Sequence, residues 1–259
     1  MTLQVELRGA GPALVMLHGW GLNSAAWSPL LPRLEQRFRL VLVDLPGHGR
    51  NRAAAVAPGL AGWAAAVAEV APPGSAWLGW SLGGQVAMAA ALAGHDIRRL
   101  VLVATTPRFV TAPDWPCAVP AEVLAGFAAS LARDHDKTVR DFLSLQLRGD
   151  MRAATLLRTL RALLAASPAP DPAALATGLE ILAHTDLRTQ LPALARPALV
   201  LAGERDRLTP AAAGEALAAA LPAGRCRVFA GAAHAPFLTH REDFAAAVES
   251  FLDDAEAAA

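Results

Sequence analysis

Cysteine is nearly absent from this chain, with two residues in 259: Cys117 beside Pro116 and Cys226 at the head of an apolar run. That pair builds neither a disulfide framework nor a metal site, and both are read as packing residues. Excess charge is missing too, since 23 Lys and Arg balance 23 Asp and Glu. Without a basic surplus there is no global electrostatic case for nucleic acid, so any basic partner surface must be local. A membrane-spanning run is lacking as well. The longest candidate, from Ala53 to Ala68, holds Pro58, Gly59 and Gly62 and is otherwise mostly alanine, a poor bilayer span. Met1 to Gly11 shows neither a basic n-region nor an apolar h-region, so no secretory signal is expected and the cytoplasm is the expected location. No two histidines have zinc-like spacing, so neither a metal nor a cofactor is called for.

What is present is a regular alternation. Continuous apolar runs at 13–17, 40–43, 76–80, 100–103 and 198–202, and the run 226–230 interrupted by Arg227, read as strands of a parallel sheet, with an antiparallel strand expected before them at 3–7. Helical patterns fall between them at 27–37, 63–70, 83–93, 211–221 and 244–252. Such alternation predicts one α/β domain with a mostly parallel, doubly wound sheet and functional residues at the carboxyl ends of its strands. The alternation stops between Pro107 and Pro197, where the pattern is helical only: 121–132, 137–147, 151–166 and 172–184. The expected organisation is therefore a core of residues 1–108 and 195–259 with a helical cap, 109–194, laid over the strand ends as pocket wall and water shield.

The chain is organised around Gly79-Trp80-Ser81-Leu82-Gly83, which follows an apolar strand and opens a small-residue helix. This spacing is that of a nucleophile elbow: serine occupies a strained strand-to-helix turn, and the glycines let the backbones pass. A serine hydroxyl needs a base, and the base an orienter. Among seven histidines, His234 lies in a small-residue loop past the last strand. Asp206 lies past the preceding strand, with Glu204 as the alternative acid. The order Ser81, Asp206, His234 suits this arrangement. His18 is expected to steady the loop after the first parallel strand and His48 a turn, while His95, His135, His184 and His240 read as surface or loop residues. Oxyanion donors are expected in the backbone N–H groups of Leu82 and Trp20, whose indole would line the pocket.

The segments Leu17-His18-Gly19-Trp20-Gly21, Asp44-Leu45-Pro46-Gly47-His48-Gly49, Trp77 to Gly84 and Ala232 to Phe237 together resemble the α/β-hydrolase superfamily. Within it, Gly79 to Gly84 and the cap segments Phe142-Leu143-Ser144-Leu145-Gln146 and Gly178 to Leu182 are similar to the esterases that demethylate pimeloyl chains on acyl carrier protein in biotin synthesis. The resemblance covers essentially the whole chain. It implies an α/β-hydrolase fold, Ser81 as nucleophile, His234 as base and Asp206 as orienter. It also implies substrate contacts at Trp20, Ser81, Leu82, Phe142, Leu143, Ser144, Leu145, Gln146 and His234. Phe142 and Gln146, four apart, share one helix face. Acyl carrier protein is the implied partner of a monomeric enzyme, and a basic cap face is the implied dock: Lys137 and Arg158 match, Asp141 and Ala154 do not, and Arg140 and Arg152 lie close enough to substitute. A solvated helix face is the competing reading of those charges. A promiscuous short-chain carboxylesterase and a non-catalytic binding module are the rival functions. Serine rather than aspartate in the elbow disfavours dehalogenase chemistry.

Overall fold

A strand that is apolar at every position must be covered on both faces, because successive side chains point to opposite sides of the sheet. The computed structural model, which describes residues 2–148, 150, 153–165 and 167–253, has this arrangement. Its strands are β1 (Val5–Arg8), β2 (Ala13–Leu17), β3 (Arg39–Val43), β4 (Ser75–Trp80), β5 (Ile97–Val103), β6 (Ala198–Gly203) and β7 (Gly224–Phe229). They form one sheet in the order β1-β3-β2-β4-β5-β6-β7. Only β1 runs antiparallel, against β3. Leu14 and Met16 of β2 enter one apolar layer with Leu40, Leu78 and Val101; Val15 and Leu17 enter the other with Val41, Trp77 and Leu100. The sheet is thus the middle of a sandwich.

The helices in chain order are α1 (Leu31–Leu34), α2 (Gly59–Ala68), α3 (Leu82–Leu92), α4 (Ala121–Leu131), α5 (His135–Gln146), α6 (Ala153–Ala165), α7 (Pro172–His184), α8 (Ala211–Ala220), α9 (Pro236–Thr239) and α10 (Arg241–Asp253). Trp63 and Val67 of α2, Val86 of α3 and Leu217 of α8 cover one face, and Phe244 and Val248 of α10 the other. None of the helices among the described residues is long and apolar enough to cross a membrane.

Two expectations change. The helix expected over 27–37 is a 3-10 turn at Ser24–Trp27 followed by the four-residue α1. Pro29 and Pro32 each remove a backbone donor inside that pattern, so a long helix cannot propagate. Cys226 is exposed on β7, whose residues 225–228 all face solvent at the sheet edge, so it is not a packing residue.

Topology decides where a site can form. From β2 the chain steps to β3 on one side and then to β4 on the other, and Leu17 stands opposite Gly79 in the register. The loops leaving β2 and β4 therefore open into one crevice, as at the switch point of other open α/β sheets. Helices α4 to α7 are inserted between β5 and β6. Asp134 and Asp171 cap α5 and α7 by accepting from backbone N–H groups, and Pro172 fits the first turn of α7. Exit and return are fastened together: Leu187 N–H donates to the Pro107 carbonyl at 3.0 Å, and Asp186 pairs with both Arg108 and Arg188 at 2.8 Å.

Phe244 is fully buried and touches the rings of Phe229 and Phe237, joining α10 to β7 and α9. Phe244→Ala is expected to lower the unfolding free energy by about 3–5 kcal/mol in urea titration. A loss under about 1 kcal/mol would show that α10 is not part of the cooperative core.

Candidate active site

Ser81 has φ 56° and ψ −118°, a region nearly closed to residues with a Cβ. Holding it there costs about 1–3 kcal/mol, so the surroundings must enforce it. The Ser81 N–H donates to the Val103 carbonyl at 2.9 Å, and the Thr105 hydroxyl donates to the Ser81 carbonyl at 2.7 Å. Glycine at 79 and 83 is required by close approach. A Cβ on Gly79 would meet the Gly83 backbone, and one on Gly83 would lie 2.6 Å from the Leu17 carbonyl oxygen. The spacing in the sequence is thus the spacing of two backbone crossings.

Past β6 and β7, Asp206 and His234 meet. His234 Nδ1 lies 2.7 Å from Asp206 Oδ2, and both side chains are fully buried. Asp206 also accepts from the N–H of Leu208 and of Thr209 and from the Thr209 hydroxyl at 2.6 Å. Four donors occupy the carboxylate and fix it against the imidazole, the geometry an orienting acid needs. Glu204, the alternative acid, instead accepts from the Gly231 N–H on an exposed loop. The His234 loop is itself suspended between two elements: its N–H donates to the Gln146 carbonyl at 3.1 Å, and its carbonyl accepts from Trp80 Nε1 at 2.9 Å. Ser81 Oγ and His234 Nε2 are buried and have no hydrogen-bond partner among the described residues. Such contacts commonly tighten only when substrate is bound.

The loop after β2 is set by His18. Its Nε2 accepts from the Leu45 N–H at 2.9 Å, so Nδ1 carries the proton and donates to the Gly19 carbonyl at 2.8 Å. In a trans peptide the carbonyl and the following N–H point opposite ways, so fixing the Gly19 carbonyl fixes the Trp20 N–H. Among the described residues neither the Trp20 nor the Leu82 N–H has an acceptor. The Leu82 N–H is also one of the free donors at the start of α3. Two N–H groups without an acceptor beside a buried hydroxyl are the kind of donors that can stabilise an oxyanion.

Residues of α5 and α7 pack against these loops. The Trp20 indole donates to the Leu175 carbonyl at 2.8 Å and packs edge-on against Phe142 at 4.8 Å. Gln146 is buried beside the His234 loop with its side-chain amide unpartnered. Leu143 faces the opposite apolar layer, and Leu145 is partly buried. The Ser144 hydroxyl turns back to the Arg140 carbonyl at 2.9 Å on the exposed side of α5. Of the cap residues expected to contact substrate, Phe142 and Gln146 thus approach Trp20 and His234, and Ser144 does not. Among the basic residues, Lys137 pairs with Asp141 at 2.6 Å, Arg158 donates to Thr155, and Arg152 lies outside the described residues.

Three residues with roles here were missed by sequence reading. Thr209 braces the Asp206–His234 pair, Thr105 braces the elbow, and Trp80 holds the His234 loop. For Thr209 a signal existed, because Asp-x-x-Thr is a local side-chain-to-backbone turn pattern. Thr105 and Trp80 act across the sheet, where spacing in sequence is silent.

Known proteins bear on this geometry. The family model described as alpha/beta hydrolase fold matches residues 12–241. The pimeloyl-[acyl-carrier protein] methyl ester esterase of Xanthomonas axonopodis pv. citri is 45% identical over 250 residues, covering 96% of this chain and 98% of its own. The protein of the same name from Xylella fastidiosa is 42% identical over 252 residues, with coverages of 96% and 98%. Among solved structures, a hydrolase from Pseudomonas aeruginosa is 30% identical with a TM-score of 0.77, covering 96% of this chain and 93% of its own. An esterase from Exiguobacterium antarcticum superposes with a TM-score of 0.87 at 23% identity, covering 97% and 95%, a likeness of fold.

The supporting histidines make stability depend on pH. His48, fully buried with Nδ1 2.9 Å from the Pro46 carbonyl, is held at a pKa of about 3 by burial and by the neighbouring His18 ring. Burial lowers His18 as well. A histidine whose folded pKa is depressed stabilises the protein above its unfolded pKa, about 6.5, and loses that contribution as pH falls toward the folded value. Each such group gives a slope of about 1.4 kcal/mol per pH unit. Urea midpoints measured from pH 6 to pH 4 should fall less steeply for His48→Asn than for wild type, by about one such slope. Parallel lines would mean that His48 titrates normally.

Proposed function

The chain belongs to the α/β-hydrolase fold family, and from that premise we propose that it is a serine carboxylesterase that demethylates a pimeloyl chain borne on acyl carrier protein in biotin synthesis. The observation that carries the chemistry is the buried His234–Asp206 pair, joined on the next crevice wall by an unpartnered Ser81 hydroxyl in a strained turn. The substrate reading is supported by relatives whose names state it and which align from end to end.

In this reading Ser81 Oγ attacks the ester carbonyl while His234 Nε2 takes its proton. The developing oxyanion is held by the Trp20 and Leu82 N–H groups, each worth about 3–4 kcal/mol in the transition state. Asp206, braced by Thr209, keeps the imidazole in the required tautomer and stabilises the imidazolium. His234 then gives the proton to methanol as it leaves. Water, deprotonated by the same imidazole, releases the acyl group from Ser81 as a free carboxylate, which ends further chain elongation. Phe142, Leu143, Leu145 and Gln146 contribute the cap wall of the pocket. The enzyme works in the cytoplasm as a monomer, and its carrier partner docks on the basic cap face that includes Lys137, Arg140, Arg152 and Arg158.

The short-chain esterase reading gains one observation, the neutralisation of Lys137 by Asp141. Charge reversal separates the two. Arg158→Glu should lower kcat/KM for carrier-borne methyl pimelate about tenfold relative to a p-nitrophenyl ester. Equal effects on both substrates would favour the enzyme without a carrier. Ser81→Ala should lower kcat on either ester on the order of a millionfold if the three residues act as a unit. Turnover within tenfold of wild type would remove Ser81 from the mechanism.

A further inference from the structure

The glycines at 79 and 83 answer to backbone crossings, but the third glycine of this stretch, Gly84, answers to a side chain. A Cβ on Gly84 would lie 2.5 Å from Cγ2 and 2.7 Å from Oγ1 of Thr105. Thr105 reaches that place from a second strained corner. Ser81 (φ 56°) and Ala104 (φ 42°) are the two residues other than glycine with positive φ among the described residues. They directly follow Trp80 and Val103, which stand opposite each other in the β4–β5 register. Glycine would take the turn at 104 without strain, whereas alanine holds it only because its surroundings enforce it. Ala104 is buried, and its N–H donates to the Leu201 carbonyl at 2.8 Å. The residue that this corner delivers against the elbow is Thr105, itself buried, with its hydroxyl 2.7 Å from the Ser81 carbonyl oxygen.

That carbonyl belongs to the peptide whose other end is the Leu82 N–H. It also accepts from the Gly84 N–H at 2.9 Å and the Gln85 N–H at 3.4 Å. Those two donors are part of α3 and move with it. Of the three, only the Thr105 hydroxyl comes from the β5 side, so it alone refers the peptide plane to the sheet. In a trans peptide the carbonyl and the following N–H point opposite ways, so a hold on the Ser81 carbonyl aims the Leu82 N–H. The Trp20 N–H is aimed by the same device, since His18 Nδ1 donates at 2.8 Å to the Gly19 carbonyl of its peptide.

Resting on the oxyanion donors of the esterase reading above, we infer that Thr105 is a positioning residue for the oxyanion: its hydroxyl sets the direction of the Leu82 N–H, and Gly84 and Ala104 are the features that place it. Direction matters because a hydrogen bond weakens steeply as its donor angle closes. The two donors are then aimed independently, Trp20 from the loop after β2 and Leu82 from the end of β5. Loss of the Thr105 hydroxyl leaves the Trp20 donor intact and frees the Leu82 peptide to follow α3. Threonine serves here through its hydroxyl, while its methyl group fills the space that Gly84 leaves open.

The test uses a short alkyl trifluoromethyl ketone. Ser81 Oγ adds to its carbonyl carbon, the carbonyl oxygen becomes the oxyanion of a hemiketal, and His234 Nε2 takes the serine proton. In wild type the amide protons of both Trp20 and Leu82 should move downfield in 1H–15N spectra when the adduct forms. In Thr105→Val the Leu82 movement should shrink by about half or more while that of Trp20 persists. The same variant should lower kcat on a p-nitrophenyl ester about tenfold at unchanged KM, part of the roughly 10²–10³-fold lost with a whole donor. Thr105→Ser, which keeps the hydroxyl, should restore the Leu82 movement. Gly84→Ala displaces Thr105 from within a helix that alanine favours, so it should reproduce the Thr105→Val pattern without loss of helix propensity, and it carries the comparison if Thr105→Val does not fold. If the Leu82 movement is unchanged in Thr105→Val, if both amides lose equally, or if Thr105→Ser loses as much as Thr105→Val, the aiming role is overturned and the esterase reading stands. If wild type forms no adduct, or forms it without moving either amide, the oxyanion reading itself is overturned and the inference falls with it.

Discussion

The left-handed turn at Ser81 is the constraint to which the neighbouring structure answers. A residue with φ 56° reverts to a relaxed conformation unless packing forbids it. Here packing forbids it in three directions. Beneath, Gly79 and Gly83 bring strand and helix too close for any side chain. On the β5 side, the Val103 carbonyl and the Thr105 hydroxyl hold the N–H and carbonyl of Ser81. On the β2 side, Gly19 leaves the space that the Ser81 side chain occupies. The β2-β4-β5 order of the sheet is therefore what makes the turn possible.

The same logic extends outward through peptide planes rather than side chains. His18 works on the Gly19 carbonyl and so orients a neighbouring N–H; its own tautomer is set by the Leu45 N–H of the loop after β3. Asp44, at the end of β3, accepts from the Ser24 and Arg50 N–H groups and so ties that loop to the turn after β2. Each loop at the carboxyl end of the sheet is thus fixed by the next. Neutral, desolvated histidines serve this purpose because a charged ring could not accept the Leu45 N–H, and burial keeps them neutral.

The legible part of this protein was the part governed by short-range periodicity. Five of the seven strands, β2 to β6, carry apolar runs readable without a partner, because a doubly covered strand needs no alternation. Glycine spacing around Ser81 was readable because the close approaches it permits involve residues within five positions of the serine and the strand beside it. The helix expected over 27–37 failed because apolar periodicity outweighed two prolines that should have outweighed it. The contact between Asp206 and His234 was anticipated only through chain order, since 28 residues separate them. Thr105 and Trp80 were out of reach for the same reason: their partners are set by how the strands are ordered in the sheet, and that order is not written in any local pattern.

The His234 loop joins cap and core in a way that has mechanical consequences. Its N–H is held by the last carbonyl of α5, on Gln146, and its carbonyl by the indole of Trp80, the residue before the serine. Trp80 packs in turn against Phe237 and Trp27, so the core side of this suspension is rigid. The cap side is a single backbone hydrogen bond at the end of a helix, worth about 1 kcal/mol. Ser81 and His234 are fully covered. The contact of His234 Nδ1 with Asp206 and the Thr209 brace lie wholly within the loops after β6 and β7. Helix α5 therefore contributes one backbone anchor of the loop, through Gln146, while the ring itself is held by the core alone.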